Sequence, residues 1–325
     1  MAVYTDVSAQ ELADFVAGYD IGRLRSAKGI AEGVENSNYL IQTDAGTYIL
    51  TLYERRVAEA DLPFFLGLMD HLAARGLPCP VPVRDRQGNA LRRLCGRPTA
   101  IITFLAGIIA DAPTPRHCAE LGRALARLHR AGADFSLRRA NALSLDGWQS
   151  LAETCAAKAN QVHAGLADMI ATEIAYLRDA WPTALPAGVI HADLFPDNVF
   201  FLGDELTGLI DFYFSCNDFL TYDLAVCINA WCFDGEHRFA PGHAQALIAG
   251  YQEVRVLTGA ERAALPTLAR GAALRFLLTR LYDKLHHPDG ALVRPKDPMD
   301  YLARLEFHRT VTDAGAYGLG EAGRG

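Results

Sequence analysis

Two periodicities alternate along the chain. Ser8-Ala9-Gln10-Glu11 has the form of a capping box, and Leu12, Phe15 and Val16 recur behind it at helical spacing. Over 23–54 the apolar period shortens to two. Segments 24–28, 38–43 and 47–53 read as strands, with Asp44-Ala45-Gly46 turning between the last two. Leu62, Phe65, Leu66, Met69 and Leu72 restore the helical period over 58–75, ended by Gly76 and Pro78. Residues 81–94 predict a hairpin about Arg86-Gln87-Gly88-Asn89, and 97–105 a buried strand running into Ala106-Gly107. Helical spacing then dominates. Thr114-Pro115 opens a helix over 115–131 with Leu121, Leu125 and Leu128 inward, and 149–179 predict one or two Ala-rich helices. Stretches 220–233, 240–257, 260–287 and 297–309 predict further helices, and the Gly-rich 311–325 a disordered tail. The expected class is α+β, with a sheet-rich first third and a helical remainder.

Composition narrows the function. At 325 residues the chain exceeds one compact core. A net charge of −7 and the absence of a basic stripe exclude an extended nucleic-acid footprint. Seven scattered cysteines, odd in number and without a C-x-x-C, argue for reduced thiols and against a disulfide frame or zinc site. Asp6, Glu11 and Asp14 in the first stretch do not suit a signal peptide, and no uncharged apolar run reaches the ~20 residues that cross a bilayer. The expectation is a soluble cytosolic protein that binds a small molecule, with neither nucleic acid nor membrane as partner. Nothing in the sequence sets its oligomeric state.

The chemistry concentrates in Val189-Ile190-His191-Ala192-Asp193 and in Asn198, followed by a predicted hairpin through Gly203-Asp204-Glu205 that delivers Leu209-Ile210-Asp211-Phe212. Any one of Asp193, Asp197, Asn198 and Asp211 is an ordinary turn residue. The ordered set resembles the H-R-D-x-x-x-x-N and D-F-G pair of protein kinases, in which an Asp takes the substrate proton while an Asn and an Asp hold magnesium. His-Ala-Asp and Ile-Asp-Phe are closer to the aminoglycoside phosphotransferase and choline kinase branch of that fold, whose acceptors are small alcohols. Within the branch, 33–40, 48–54, 62–66 and 75–80 resemble homoserine kinases, and the likeness covers about 1–310.

The resemblance implies a bilobal, protein-kinase-like fold: a small antiparallel nucleotide-binding lobe over 1–105 and a larger helical catalytic lobe over 106–310. It implies ATP and Mg2+ as cosubstrate and metal. Asp193 with His191 would be catalytic, and Asn198 and Asp211 metal ligands. Asn36, Ser37 and Asn38 would face the phosphates, and Thr103 to Leu105 would form the adenine hinge. Thr51 stands where kinases carry the phosphate-binding lysine; Lys28, Arg55 and Arg56 are cations that could substitute, and Glu59 or Asp61 could orient the phosphates. His129 reads as a helix C-terminal cation, and Asp223 as a brace for the catalytic loop. An amino-acid acceptor needs a cation for its carboxylate and an anion for its ammonium; Arg275, Arg280, Asp218, Asn229 and Asp234 are candidates. The implied reaction is phosphorylation of the L-homoserine hydroxyl. Two alternatives stay open: another small alcohol, such as choline, an aminoglycoside or a methylthio-sugar, and a nucleotide-binding pseudokinase, to which Thr51 points.

Overall fold

In the computed structural model of this chain, which describes residues 5–30, 36–54, 57–287 and 295–320, the period-two segments form an antiparallel sheet. Strands β1 (Leu24–Gly29), β2 (Ser37–Thr43) and β3 (Thr47–Leu52) make a meander, and the Gly46 carbonyl accepts from the Thr43 N–H to close its second turn at 2.9 Å. Strands β4 (Pro82–Val83), β5 (Arg92–Leu94) and β6 (Arg97–Thr103) complete the sheet, with β6 beside β3. Helix α1 (Ala9–Val16) starts at the expected reciprocal cap of Ser8 and Glu11. Its Leu12, Phe15 and Val16 pack with Tyr39, Ile41, Leu50 and Ile101. The alternation of β3 that buries Leu50 and Leu52 there leaves Thr51 on the other face. One expectation fails. β4 and β5 do not form a hairpin with each other; each pairs with β6. The turn between them exists, and the Asp85 carboxylate accepts the Gln87 and Asn89 N–H groups. The apolar β6 edge is the better partner for both short strands.

Helix α2 (Leu62–Ala73) buries Leu62, Phe65, Leu66, Met69 and Leu72 as their spacing predicts. The remaining helices are α3 (Pro115–Ala131), α4 (Leu145–Val162), α5 (Leu166–Ala180), α6 (Leu220–Trp231), α7 (Pro241–Val254), α8 (Gly259–Leu285) and α9 (Met299–Thr310). Short strands β7 (Ala187–Ile190) and β10 (Cys216–Phe219) pair antiparallel, and β8 (Val199–Leu202) turns through Gly203-Asp204 into β9 (Glu205–Leu209). The chain divides into two compact units, Met1–Gly107 with Thr207–Tyr213, and Ile108–Leu206 with Phe214–Gly325. The first was expected to end at 105 and to lack the second stretch. None of the described helices is long and apolar enough to cross a membrane.

Helix α6 is the spine of the second unit: every residue of it except Ala230 is buried, so its sequence is apolar all round apart from Thr221, Asp223 and Asn229. Helices α3 and α7 lie backbone against backbone. A Cβ at Gly122 would sit 2.1 Å from the Leu247 carbonyl, and one at Gly250 2.1 Å from that of Ala119. The tail is a second correction. Residues 311–320 are ordered, with a 3-10 turn over Ala314–Tyr317 and Tyr317 fully buried. The Tyr317 hydroxyl meets His308 Nδ1 at 2.8 Å, while His308 Nε2 reaches the Asn229 side-chain oxygen at 3.2 Å.

Burial first, and then the charge of Arg304, push the His308 imidazole down to about 3. The unfolded chain therefore takes a proton near pH 6.5 that the native state refuses until about pH 3. This contribution is constant above pH 6.5 and is lost progressively as pH falls towards 3. In urea titrations, stability of the wild type should drop across that window, and His308→Gln, which keeps a polar side chain but cannot take up the proton, should show a shallower drop.

Candidate active site

β7 drives Val189 and Ile190 into the core, both fully buried, and the chain then breaks direction at His191-Ala192-Asp193. Ala192 has φ +65°, a left-handed backbone that costs a non-glycine residue roughly 1–2 kcal/mol. Two side chains hold it there. The Asp223 carboxylate accepts the N–H of His191 at 2.7 Å and of Ala192 at 2.8 Å, and the Arg275 guanidinium donates to the Ala192 carbonyl. Arg275 also stands 4.0 Å from Asp193, with its guanidinium 4.5 Å above the Phe276 ring. Trp231, at the end of α6, donates its indole N–H to the Leu194 carbonyl at 2.8 Å.

Asp223 is fully buried. Burial raises its carboxyl, but the His129 hydrogen bond at 3.1 Å, the His129 and His191 charges and the His191 N–H outweigh it, and the group lies below its ordinary value. His129 lies in the last turn of α3, as expected, but its side chain does not face the solvent. It is buried on the inner face of α3, bridging Asp223 and the Tyr251 hydroxyl, which is 2.8 Å from Nδ1. Arg255 donates to that hydroxyl and pairs with buried Glu261 at 2.8 Å, so a polar chain runs from the cap of α8 to the loop. His129 is four residues beyond Leu125, on the same helical face, and that spacing was the available signal.

Asn198 closes the loop through its side-chain amide, which donates to the Asp193 carbonyl at 2.8 Å and reaches the Asp193 carboxylate at 3.3 Å. This turns its side-chain oxygen the other way, with no hydrogen-bond partner among the described residues. Such an oxygen suits a hard divalent cation, which takes few protein ligands and keeps water and phosphate oxygens. No cluster of three or more His, Cys, Asp or Glu able to hold a metal occurs among the described residues.

The acceptor candidates scatter. Arg275 is 2 % exposed and braces the loop. Asn229 is buried, and its amide donates to the Ala225 and Ala269 carbonyls, so it fastens α6 to α8 and is unavailable to an acceptor. Asp218 is half-buried on β10; burial raises its carboxyl, and Asn141 donates to it at 2.7 Å. Asp234 pairs with Arg238 at 2.9 Å in a loop. Arg280 lines a cavity of about 390 Å³, with its guanidinium 2.8 Å from Asp300.

In the first unit, Ser37 donates to Glu54 at 2.8 Å, the Glu54 N–H meets the Asn36 side-chain oxygen, and both residues are buried. Thr51 donates to Asn38 at 2.8 Å, its cross-strand partner. Asp211, like Ala192, has a left-handed backbone, φ +65°. Burial, with the charge of Asp211 behind it, holds the Tyr213 hydroxyl up to about 12, and that hydroxyl lies 3.0 Å from Tyr53. Thr103 pairs with Tyr48 at the end of β6, Leu105 follows it half-buried, and Lys28 is exposed. Glu59 pairs with Arg93 at the surface, and Asp61, half-buried, lies in the same short turn. Gly33, Arg55 and Arg56 lie outside the described residues.

Residues 26–257 match the phosphotransferase enzyme family (APH). The chain belongs to this family. Within the APH family, it is 62% identical over 319 residues to a homoserine kinase of Xanthobacter autotrophicus, covering 98% of this chain and 99% of that protein. A homoserine kinase of Rhodospirillum rubrum is 61% identical over the same shares. Among solved structures, the amicoumacin kinase hAmiN in complex with AMP-PNP, Ca2+ and Ami superposes with a TM-score of 0.69 at 14% identity, over 94% of this chain and 95% of that one. The fold is the α+β, protein-kinase-like fold of such phosphotransferases.

Replacing Asp223 by Asn puts an N–H beside groups that need an acceptor. Removing one partner of a buried charged set costs about 3–5 kcal/mol. Asp223→Asn should lose stability on that scale in chemical denaturation.

Proposed function

We propose that this phosphotransferase moves the γ-phosphoryl group of ATP to the side-chain hydroxyl of L-homoserine, giving O-phospho-L-homoserine for threonine biosynthesis. The observation that carries the substrate is near-full-length identity of about 60% to homoserine kinases. The seven free cysteines suit a reducing cytosol.

In this reading, Asp193 accepts the acceptor's hydroxyl proton as the oxygen attacks the γ-phosphorus and the bond to the bridging oxygen of ADP breaks. Its carboxylate is partly exposed at 17 %, open to a substrate yet oriented by Asn198 and Arg275. His191 keeps the loop in register through its N–H to Asp223. Asn198 and Asp211 each offer an oxygen to magnesium, which supplies charge neutralisation on the phosphates when bound. Asn36, Ser37, Asn38 and Thr51 shape the phosphate side, and Thr103 to Leu105 offer backbone groups to adenine.

The test is coupled ADP release over a panel of small alcohols. L-homoserine should give the highest kcat/KM, and a panel in which choline or an aminoglycoside wins would overturn the substrate. Asp193→Asn should lower kcat by roughly 10²–10⁴ and leave ATP binding close to wild type. Thr51 is 2 % exposed, so lysine there buries an ammonium at a cost of several kcal/mol. Thr51→Lys should therefore turn over no faster than wild type and melt lower. A gain of activity from an inactive wild type would instead mark a decayed kinase.

A further inference from the structure

The cavity in the second unit is lined by Arg280, Lys296 and Arg304 against Asp111 and Asp197, with Phe195 on the catalytic loop as one apolar wall. Its cations outnumber its acids, so it suits an anion. They are not equivalent. Lys296 is paired with Asp197 at 2.9 Å. Arg280 donates to the Asp300 carboxylate at 2.8 Å and to the Asp297 carbonyl at 3.0 Å, and Asp300 also faces His237. Arg304 is different. No carboxylate among the described residues pairs with it, and its Nε is buried without a hydrogen bond. Its guanidinium is held flat by aromatic rings instead, 4.4 Å over Tyr301 and 5.4 Å from Phe233. An arginine fixed by stacking, without an anionic partner, at the wall of a cation-rich cavity is a preorganised fork for a carboxylate.

We infer that Arg304 is the specificity residue that anchors the α-carboxylate of the amino-acid acceptor, while Arg280 serves as a fixed wall of the same cavity. The cavity is close in sequence to the proposed base, since its lining residues Phe195, Pro196 and Asp197 begin two positions after Asp193. An acceptor held by its carboxylate at Arg304 therefore extends its hydroxyl along the loop wall. The stretch matching the general phosphotransferase family stops at 257, before α8 and α9, which carry Arg280 and Arg304, whereas the likeness to homoserine kinases spans 98% of the chain. The stretch over which these relatives align beyond the general family match thus includes the segment that carries Arg304.

This inference rests on the homoserine reading, and the experiment separates the two. Steady-state kinetics would compare L-homoserine with 3-amino-1-propanol, the same amino alcohol without the carboxylate. Wild type should favour L-homoserine, and Arg304→Gln should raise its KM by roughly 10- to 100-fold, as expected for loss of a charge-assisted pair. The same variant should move the 3-amino-1-propanol and MgATP constants little, and Arg304→Lys should fall between it and wild type. An unmoved KM for L-homoserine, or an equal loss on both alcohols, overturns the anchor and leaves the homoserine reading intact. A wild type inactive on L-homoserine overturns the homoserine reading itself. If Arg304→Gln does not fold, the wild-type preference and Arg304→Lys decide: a wild type that treats the two alcohols alike, or a lysine variant with an unchanged KM, overturns the anchor.

Discussion

Everything in the second unit depends on a peptide held in a backbone its residue disfavours. Ala192 stays left-handed because a carboxylate grips its N–H and a guanidinium grips its carbonyl, and the two come from different helices, α6 and α8. Each grip needs a buried charge, and each buried charge needs its own support. Asp223 has His129, and behind it Tyr251, Arg255 and Glu261. Arg275 has the Phe276 ring and lies close to Asp193. A backbone strain of roughly 1–2 kcal/mol is thereby offset by a network of charge-assisted hydrogen bonds worth about 1.5–3 kcal/mol each. The proposed base inherits its position from this network, since it is the next residue along.

The first unit solves a different problem with neutral groups. Where kinases place a lysine, Thr51 hydrogen-bonds Asn38, and the Tyr53 and Tyr213 hydroxyls face each other close to Asp211. Two of the three residues read as phosphate-facing are tied to Glu54, which also pairs with Arg97 at 3.2 Å. Their side chains stiffen the start of β2.

The grouping of His191, Asp193 and Asn198 in one loop was legible because they lie within eight positions, and local spacing carries that information. The helices were legible for the same reason, since α1, α2 and α3 bury the residues their periodicity names. What failed was long-range. β4 and β5 chose β6 over each other, a choice set by which edge stands open. His129 meets Asp223 across 94 residues, and the Tyr317 that orders the tail meets a histidine whose partner Asn229 is 79 residues away. Among the arginines, sequence marked Arg275 and Arg280, which turned out to hold a backbone carbonyl and an aspartate. It passed over Arg304, because an arginine's value for binding depends on whether some distant acid has already claimed it.

The glycine contact between α3 and α7 carries a further consequence. His129 rides on α3 and Tyr251 on α7, and their 2.8 Å hydrogen bond survives only while the two backbones stay in touch at Gly122 and Gly250. A single methyl group at either glycine would wedge the helices apart and pull on the relay that steadies Asp223. Two positions that carry no functional group thus have almost no mutational freedom, and damage there would surface as misaligned chemistry in a chain that still folds.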